Sequence, residues 1–99
     1  MVKLILISWR EIPSQVIVQR GRKREKAMLS QRFQEAIDRA SMRDGMGSSE
    51  AYIEEWRRDR TTLETDDELG DIARREFTRL ESDFTDERLA LLVRDHGQQ

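Results

Sequence analysis

The sequence predicts a single small α+β domain, an N-terminal antiparallel β-hairpin followed by about four amphipathic α-helices. Three observations carry this expectation. Leu4-Ile5-Leu6-Ile7 and Val16-Ile17-Val18 are aliphatic runs too short for self-sufficient helices, and a proline-containing connection separates them. Beyond Arg20 the apolar residues recur at helical spacing. The chain has 99 residues, 36% hydrophobic and 38% charged, which is enough for one modest core.

The first strand, about Val2 to Trp9, is apolar at consecutive positions. Alternation therefore puts Leu4 and Leu6 on one face and Ile5 and Ile7 on the other. Val16 and Val18 oppose Ile17 in the same way. A ribbon apolar on both faces needs cover on both faces. Two strands also leave two open edges and are marginal alone in water. Either helices cover both sides or another chain does.

Leu29, Phe33, Ala36, Ile37 and Ala40 form one face of a first helix, which Gly45 is placed to end as a left-handed cap. Ser48 or Ser49 can cap a second helix, Glu50 to about Arg58, with Tyr52, Ile53 and Trp56 inward. Thr65-Asp66-Asp67-Glu68 reads as a capping box. The third helix it opens carries Leu69, Ile72, Ala73, Phe77, Leu80 and Phe84. Thr85 caps a fourth, with Leu89, Leu92 and Val93 on its inner stripe. The domain is expected to span 1–95, with 96–99 a frayed tail. Its expected core is Leu4, Ile5, Ile7, Val16, Val18, Leu29, Phe33, Ile37, Trp56, Ile72, Phe77, Leu80 and Leu89.

The formal net charge of -2 conceals a polarity. Residues 1–47 hold ten Lys/Arg and five Asp/Glu, residues 48–99 eight and fifteen. Such asymmetry marks either a surface for an anionic partner or two halves that attract each other. With no cysteine there is no disulfide or thiolate metal site, which suits a reducing compartment. The N-terminal apolar run is shorter than a secretory signal, and no stretch approaches a membrane span. A cytoplasmic protein without membrane contact is expected.

Five cations crowd Arg20-Gly21-Arg22-Lys23-Arg24-Glu25-Lys26, a stretch expected to be a loop and first helical turn. It can meet phosphates, but it lacks stacking aromatics and the pI is near 5.5, so nucleic acid is an unlikely partner. His96, the single histidine, has no neighbouring ligand or orienting group in sequence. Asp66, Asp67, Glu68 and Asp71 can hold a cation, yet a helix N-terminus alone explains acids there. No serine stands in a glycine-flanked elbow. No catalytic, cofactor-binding or metal-binding residue is therefore assigned. Trp9, beside Arg10 and Pro13 at the hairpin end, is of the type that anchors interfaces.

The stretch Ser8-Trp9-Arg10-Glu11-Ile12-Pro13-Ser14-Gln15-Val16, with residues Ser30 to Ala40 and Ala51-Tyr52-Ile53-Glu54-Glu55-Trp56, resembles a small family of bacterial proteins. That family is found largely in proteobacteria and labelled virulence factors. The resemblance implies company rather than chemistry: such proteins are encoded near corrinoid- and folate-dependent methyl-transfer enzymes. The expected function is a non-catalytic accessory subunit or protein-interaction module, with no enzymatic activity and no cofactor. It would dock on a protein partner, or on a second copy, through the hairpin edge. Trp9, Arg10, Ile12, Arg22, Lys23 and Arg24 are the expected contacts. The alternative is a nucleic-acid-binding regulator using residues 20–26.

Overall fold

The computed structural model describes residues 1–45 and 50–98. Its order is β1 (Val2–Trp9), β2 (Ile12–Arg20), β3 (Lys23–Met28), α1 (Gln31–Arg43), α2 (Glu50–Glu54), β4 (Trp56–Leu63), α3 (Leu69–Asp83) and α4 (Asp86–Arg94). The α+β class and the leading hairpin are as expected, but the sheet has four strands. It runs β3-β2-β1-β4, with every neighbouring pair antiparallel.

The two added strands are corrections. The basic segment forms β3 rather than a loop and helical turn, because Gly21 at φ 59° closes a two-residue turn and folds it back on β2. The expected second helix stops at Glu54, and residues from Trp56 pair with β1 along its whole length. Arg57 to Thr62 offer no apolar stripe for a helix, whereas pairing satisfies the open edge of β1. Ile53, expected inward, is consequently 64% exposed.

Helices cover one face of the sheet. Val2, Val16 and Val18 enter a core with Leu29, Phe33, Ile37, Leu69, Ile72, Leu80, Leu89 and Leu92, and Leu4, Leu6, Ala27 and Leu63 pack against it. Helices α1 and α3 lie over β2 and β3, and α4 packs on α1. Of the expected core, Leu4, Ile7, Trp56 and Phe77 are only half-buried. A carboxylate stitches the helical layer together. Glu81 on α3 accepts from Ser30 N–H (2.7 Å), Ser30 Oγ (2.9 Å) and Arg32 Nη2 (3.0 Å) at the start of α1.

Gly45, at φ 70°, ends α1 as expected, its N–H donating to the Met42 carbonyl. Thr85 caps α4 by accepting from Arg88 N–H at 3.1 Å. The capping box at Thr65 is a correction: α3 begins four residues later, and the Thr65 hydroxyl instead accepts from Asp67 N–H in a local turn. The cap expected at Ser48 or Ser49 lies outside the described residues. No described helix is long and apolar enough to cross a membrane.

Candidate interaction surface

The hairpin tip is an internal hub. Trp9 and Ile12 are fully buried, and Trp9 Nε1 donates to the Tyr52 carbonyl (3.0 Å) while its ring stacks on Tyr52 at 5.8 Å. Arg10, 6% exposed, takes φ 52° in the turn, a left-handed conformation rare for a side chain of its size. Its guanidinium donates to the His96 carbonyl (2.7 Å) and Asp44 Oδ2 (2.8 Å), and Glu55 lies 3.5 Å away. The Glu11 N–H donates to the Gly97 carbonyl at 2.9 Å. One side chain thus ties the hairpin to the ends of α1 and α2 and to the C-terminal tail.

Three expectations are corrected by this arrangement. Trp9, Arg10 and Ile12 are not available as docking contacts, because the core and the tail occupy them. Both edges of the hairpin are filled, one by β3 and one by β4, so no partner strand can add there. The tail through Gly97 is hydrogen-bonded rather than frayed. His96 also gains a neighbour, its Nδ1 lying 2.9 Å from Asp44 Oδ1. Arg10 first, and His96 after it, hold the Asp44 carboxyl below its ordinary value.

The other expected contacts separate. Arg22 is exposed in the β2–β3 turn, and Lys23 alternates onto the helix side of β3. Arg24 points the opposite way, onto the face that no helix covers. Register places twelve residues on that face in three rows across the sheet, since directly paired residues share a side. They are Arg24-Gln19-Lys3-Thr62, Lys26-Ile17-Ile5-Arg60 and Met28-Gln15-Ile7-Arg58. Five are cations and none is a carboxylate.

The centre of this face resolves the puzzle of a ribbon apolar on both sides. Ile5 and Ile17 are only 7% and 5% exposed, yet neither belongs to the helix-side core. Their cross-strand neighbours are Lys26 and Arg60, whose alkyl stems can lie over apolar surface with the charge in water. Within this chain no helix supplies the cover. Met28, at the end of the β3 rail, stays 61% exposed.

Among the described residues none of the five cations forms an ion pair with a carboxylate, and on the helices Arg39, Arg43 and Arg88 form none either, but four other arginines of that layer do. Arg32, Arg74, Arg75 and Arg79 all pair, with Glu81, Asp71, Asp67 and Glu76 respectively. A depression of about 640 Å³ along α3 is lined by several of these satisfied pairs. Of the acidic residues at 66–71, Asp67 and Asp71 are drawn into the same pairing. Among the described residues no three His, Cys, Asp or Glu side chains are grouped to hold a metal ion.

A family model described as "Virulence factor" matches residues 7–93. The chain belongs to the virulence factor family. That match runs from the end of β1 into the last turn of α4, so it takes in β2 to β4 and nearly all of the helical layer but not residues 2–6 or the tail residues His96 and Gly97. The family name carries no chemistry. Searches of curated proteins and of solved structures give no match.

Lys3, Lys26, Arg58 and Arg60 were not among the contacts expected from sequence. No apolar alternation in residues Trp56 to Leu63 marks them as a strand, so the sequence carried no signal that places Arg58 and Arg60 on one face. Only the pairing with β1 reveals that they join Arg24 and Lys26 on a common face.

Proposed function

We propose that this member of the virulence factor family is a non-catalytic protein-interaction module, and that the helix-free face of its sheet is the docking surface. The observation that supports the reading is the composition of that face: two shielded isoleucines ringed by five cations and no carboxylate. Like charges gathered on one sheet face cost stability, and scattered acids would relieve that cost at once. A face that gathers five cations with no acid among them is suited to a partner that supplies the missing carboxylates. An apolar centre within a polar rim is also the ordinary anatomy of a protein interface. The accessory-subunit role belongs to the same proposal, and folate- and corrinoid-dependent methyl-transfer enzymes are the first partners to try.

The test is capture of such an enzyme on the tagged chain with the pair Arg58→Glu and Arg60→Glu, against Arg74→Glu and Arg75→Glu on α3. The first pair should cut capture at least about tenfold, and the second should leave it unchanged. Equal capture by all three proteins would overturn the assignment of the face.

A second reading has one observation in its favour. Arg58 and Arg60 extend the positive surface well beyond residues 20–26, as a nucleic-acid-binding regulator would need. Against it, none of the twelve face residues is aromatic. The next residue along the β4 rail, Trp56, is half-buried, edge-on to Tyr52. Submicromolar duplex binding at about 0.15 M salt, lost with Arg58→Glu and Arg60→Glu, would put this reading first.

A further inference from the structure

Resting on the docking surface proposed above, the geometry points to its occupant: we infer that the face receives an acidic amphipathic α-helix of a partner protein, laid along the strands. The cations are not scattered but form two rails. Arg24 and Lys26 stand on β3 at one margin, and Arg58 and Arg60 stand on β4 at the other. Between them run Gln15, Ile17 and Gln19 of β2 and Lys3, Ile5 and Ile7 of β1. Three strand spacings separate the rails, about 14 Å. An α-helix with its side chains is about 10–12 Å across, so the strip between the rails takes one helix and no more.

Each feature of this strip then has a counterpart on that helix. An apolar stripe at positions three and four apart meets the isoleucines and Met28. Glutamate or aspartate on both flanks meets the two rails, where the long cationic side chains swing outward from over Ile5 and Ile17. That movement exchanges a charge-on-alkyl cover for an apolar one and pairs the cations in the same step. It also uncovers the Gln15 side-chain oxygen, buried without a hydrogen-bond partner, for a donor on the helix.

Strand addition is the competing mode, and the edges argue against it. The exposed margins are β3, Lys23–Met28, and β4, Trp56–Leu63, both dense in charge. Charged edge strands are how sheets avoid recruiting further strands. A nucleic-acid duplex would use the rails but leave the apolar centre unmatched.

The probe is a synthetic helical peptide of about four turns, with leucines along one stripe and glutamates on both flanks. Its control carries lysine in place of each glutamate. The full-length chain should bind the acidic peptide with an affinity that weakens at least about tenfold as salt rises from about 0.05 to 0.5 M, and should not bind the control. Backbone and methyl resonances of Ile5, Ile7 and Ile17 should shift on titration. Arg24→Gln with Lys26→Gln, and separately Arg58→Gln with Arg60→Gln, should each weaken binding. These positions are exposed and carry no ion pair, so folding survives, which a thermal melt verifies.

Dependence on one rail only would overturn the lengthwise helix. So would binding that leaves the isoleucine signals unmoved. If the acidic peptide fails while enzyme capture still requires Arg58 and Arg60, the face stands and its helical occupant falls. If both fail, both proposals fall. Duplex DNA displacing the peptide at about 0.15 M salt would replace the protein partner by nucleic acid.

Discussion

Arg10 is the residue on which most separate parts of the chain converge. It accepts a backbone conformation that costs about 1–2 kcal/mol for a side chain with a Cβ. Five partners then hold it: the His96 carbonyl, Asp44, Glu55, the Trp9 ring 4.8 Å below the guanidinium, and the Glu55 carbonyl on its own N–H. Arg10→Ala should destabilise the domain by about 2–4 kcal/mol, because it leaves a buried carbonyl and partly shielded carboxylates without their donor. The exposed Arg22→Ala should stay within about 0.5 kcal/mol of wild type. Denaturant midpoints measure both, and equal midpoints would remove Arg10 from the hub. None of this was legible in sequence. A tryptophan and an arginine beside a turn look the same whether they face a partner or the chain's own C-terminus 86 residues away. Gly45 and Thr85 were legible, because capping is decided by neighbours within one turn of helix.

At the level of elements, three depressed carboxylates, Asp44, Asp67 and Glu81, make the acid limb of stability predictable. Asp44 is held low by Arg10 and then His96. For Glu81 burial pushes upward, but the hydrogen bonds from Ser30 and Arg32 outweigh it, and the group lies below its ordinary 4.5. A carboxyl whose folded value is depressed contributes stability that is complete above its unfolded value. That contribution is lost as pH falls through the folded one. Stability should therefore hold down to about pH 4.5 and then decline. Glu81→Gln should flatten that decline while lowering the plateau, read from denaturant midpoints between about pH 7 and pH 2. An unchanged slope would mean that the Ser30–Arg32–Glu81 stitch is not what joins α1 to α3. The helices themselves were readable because each keeps one apolar stripe against the core, as at Leu29, Phe33 and Ile37. Strands β3 and β4 were not. Hydrophobic period marks an element only where one side is buried, and β3 places just Ala27 beneath the helical layer. Its remaining residues belong to an edge and to an open face, where charge is the favoured composition.

For the whole molecule, the sheet divides two tasks. One face folds the chain with Val2, Val16, Val18 and the helices. The other keeps five cations unmatched over Ile5 and Ile17. The uneven charge between the halves of the sequence is in part attraction between them, and the proposed docking face would be its second meaning. Arg32 with Glu81 and Arg10 with Glu55 are attractions between the halves. Lys3, Arg24 and Lys26 from the basic half join Arg58 and Arg60 from the acidic one on the open face. The chain has three lysines, and they sample this division. Lys3 and Lys26 lie on the open face, and Lys23 on the helix side of the same edge strand as Lys26. Amine-reactive labelling read by mass spectrometry, on the chain alone and on the chain loaded with its captured partner, is the most direct measurement. The account predicts that Lys3 and Lys26 lose label together in the complex while Lys23 keeps it. Protection of Lys23 with Lys3 and Lys26 still fully labelled would contradict it.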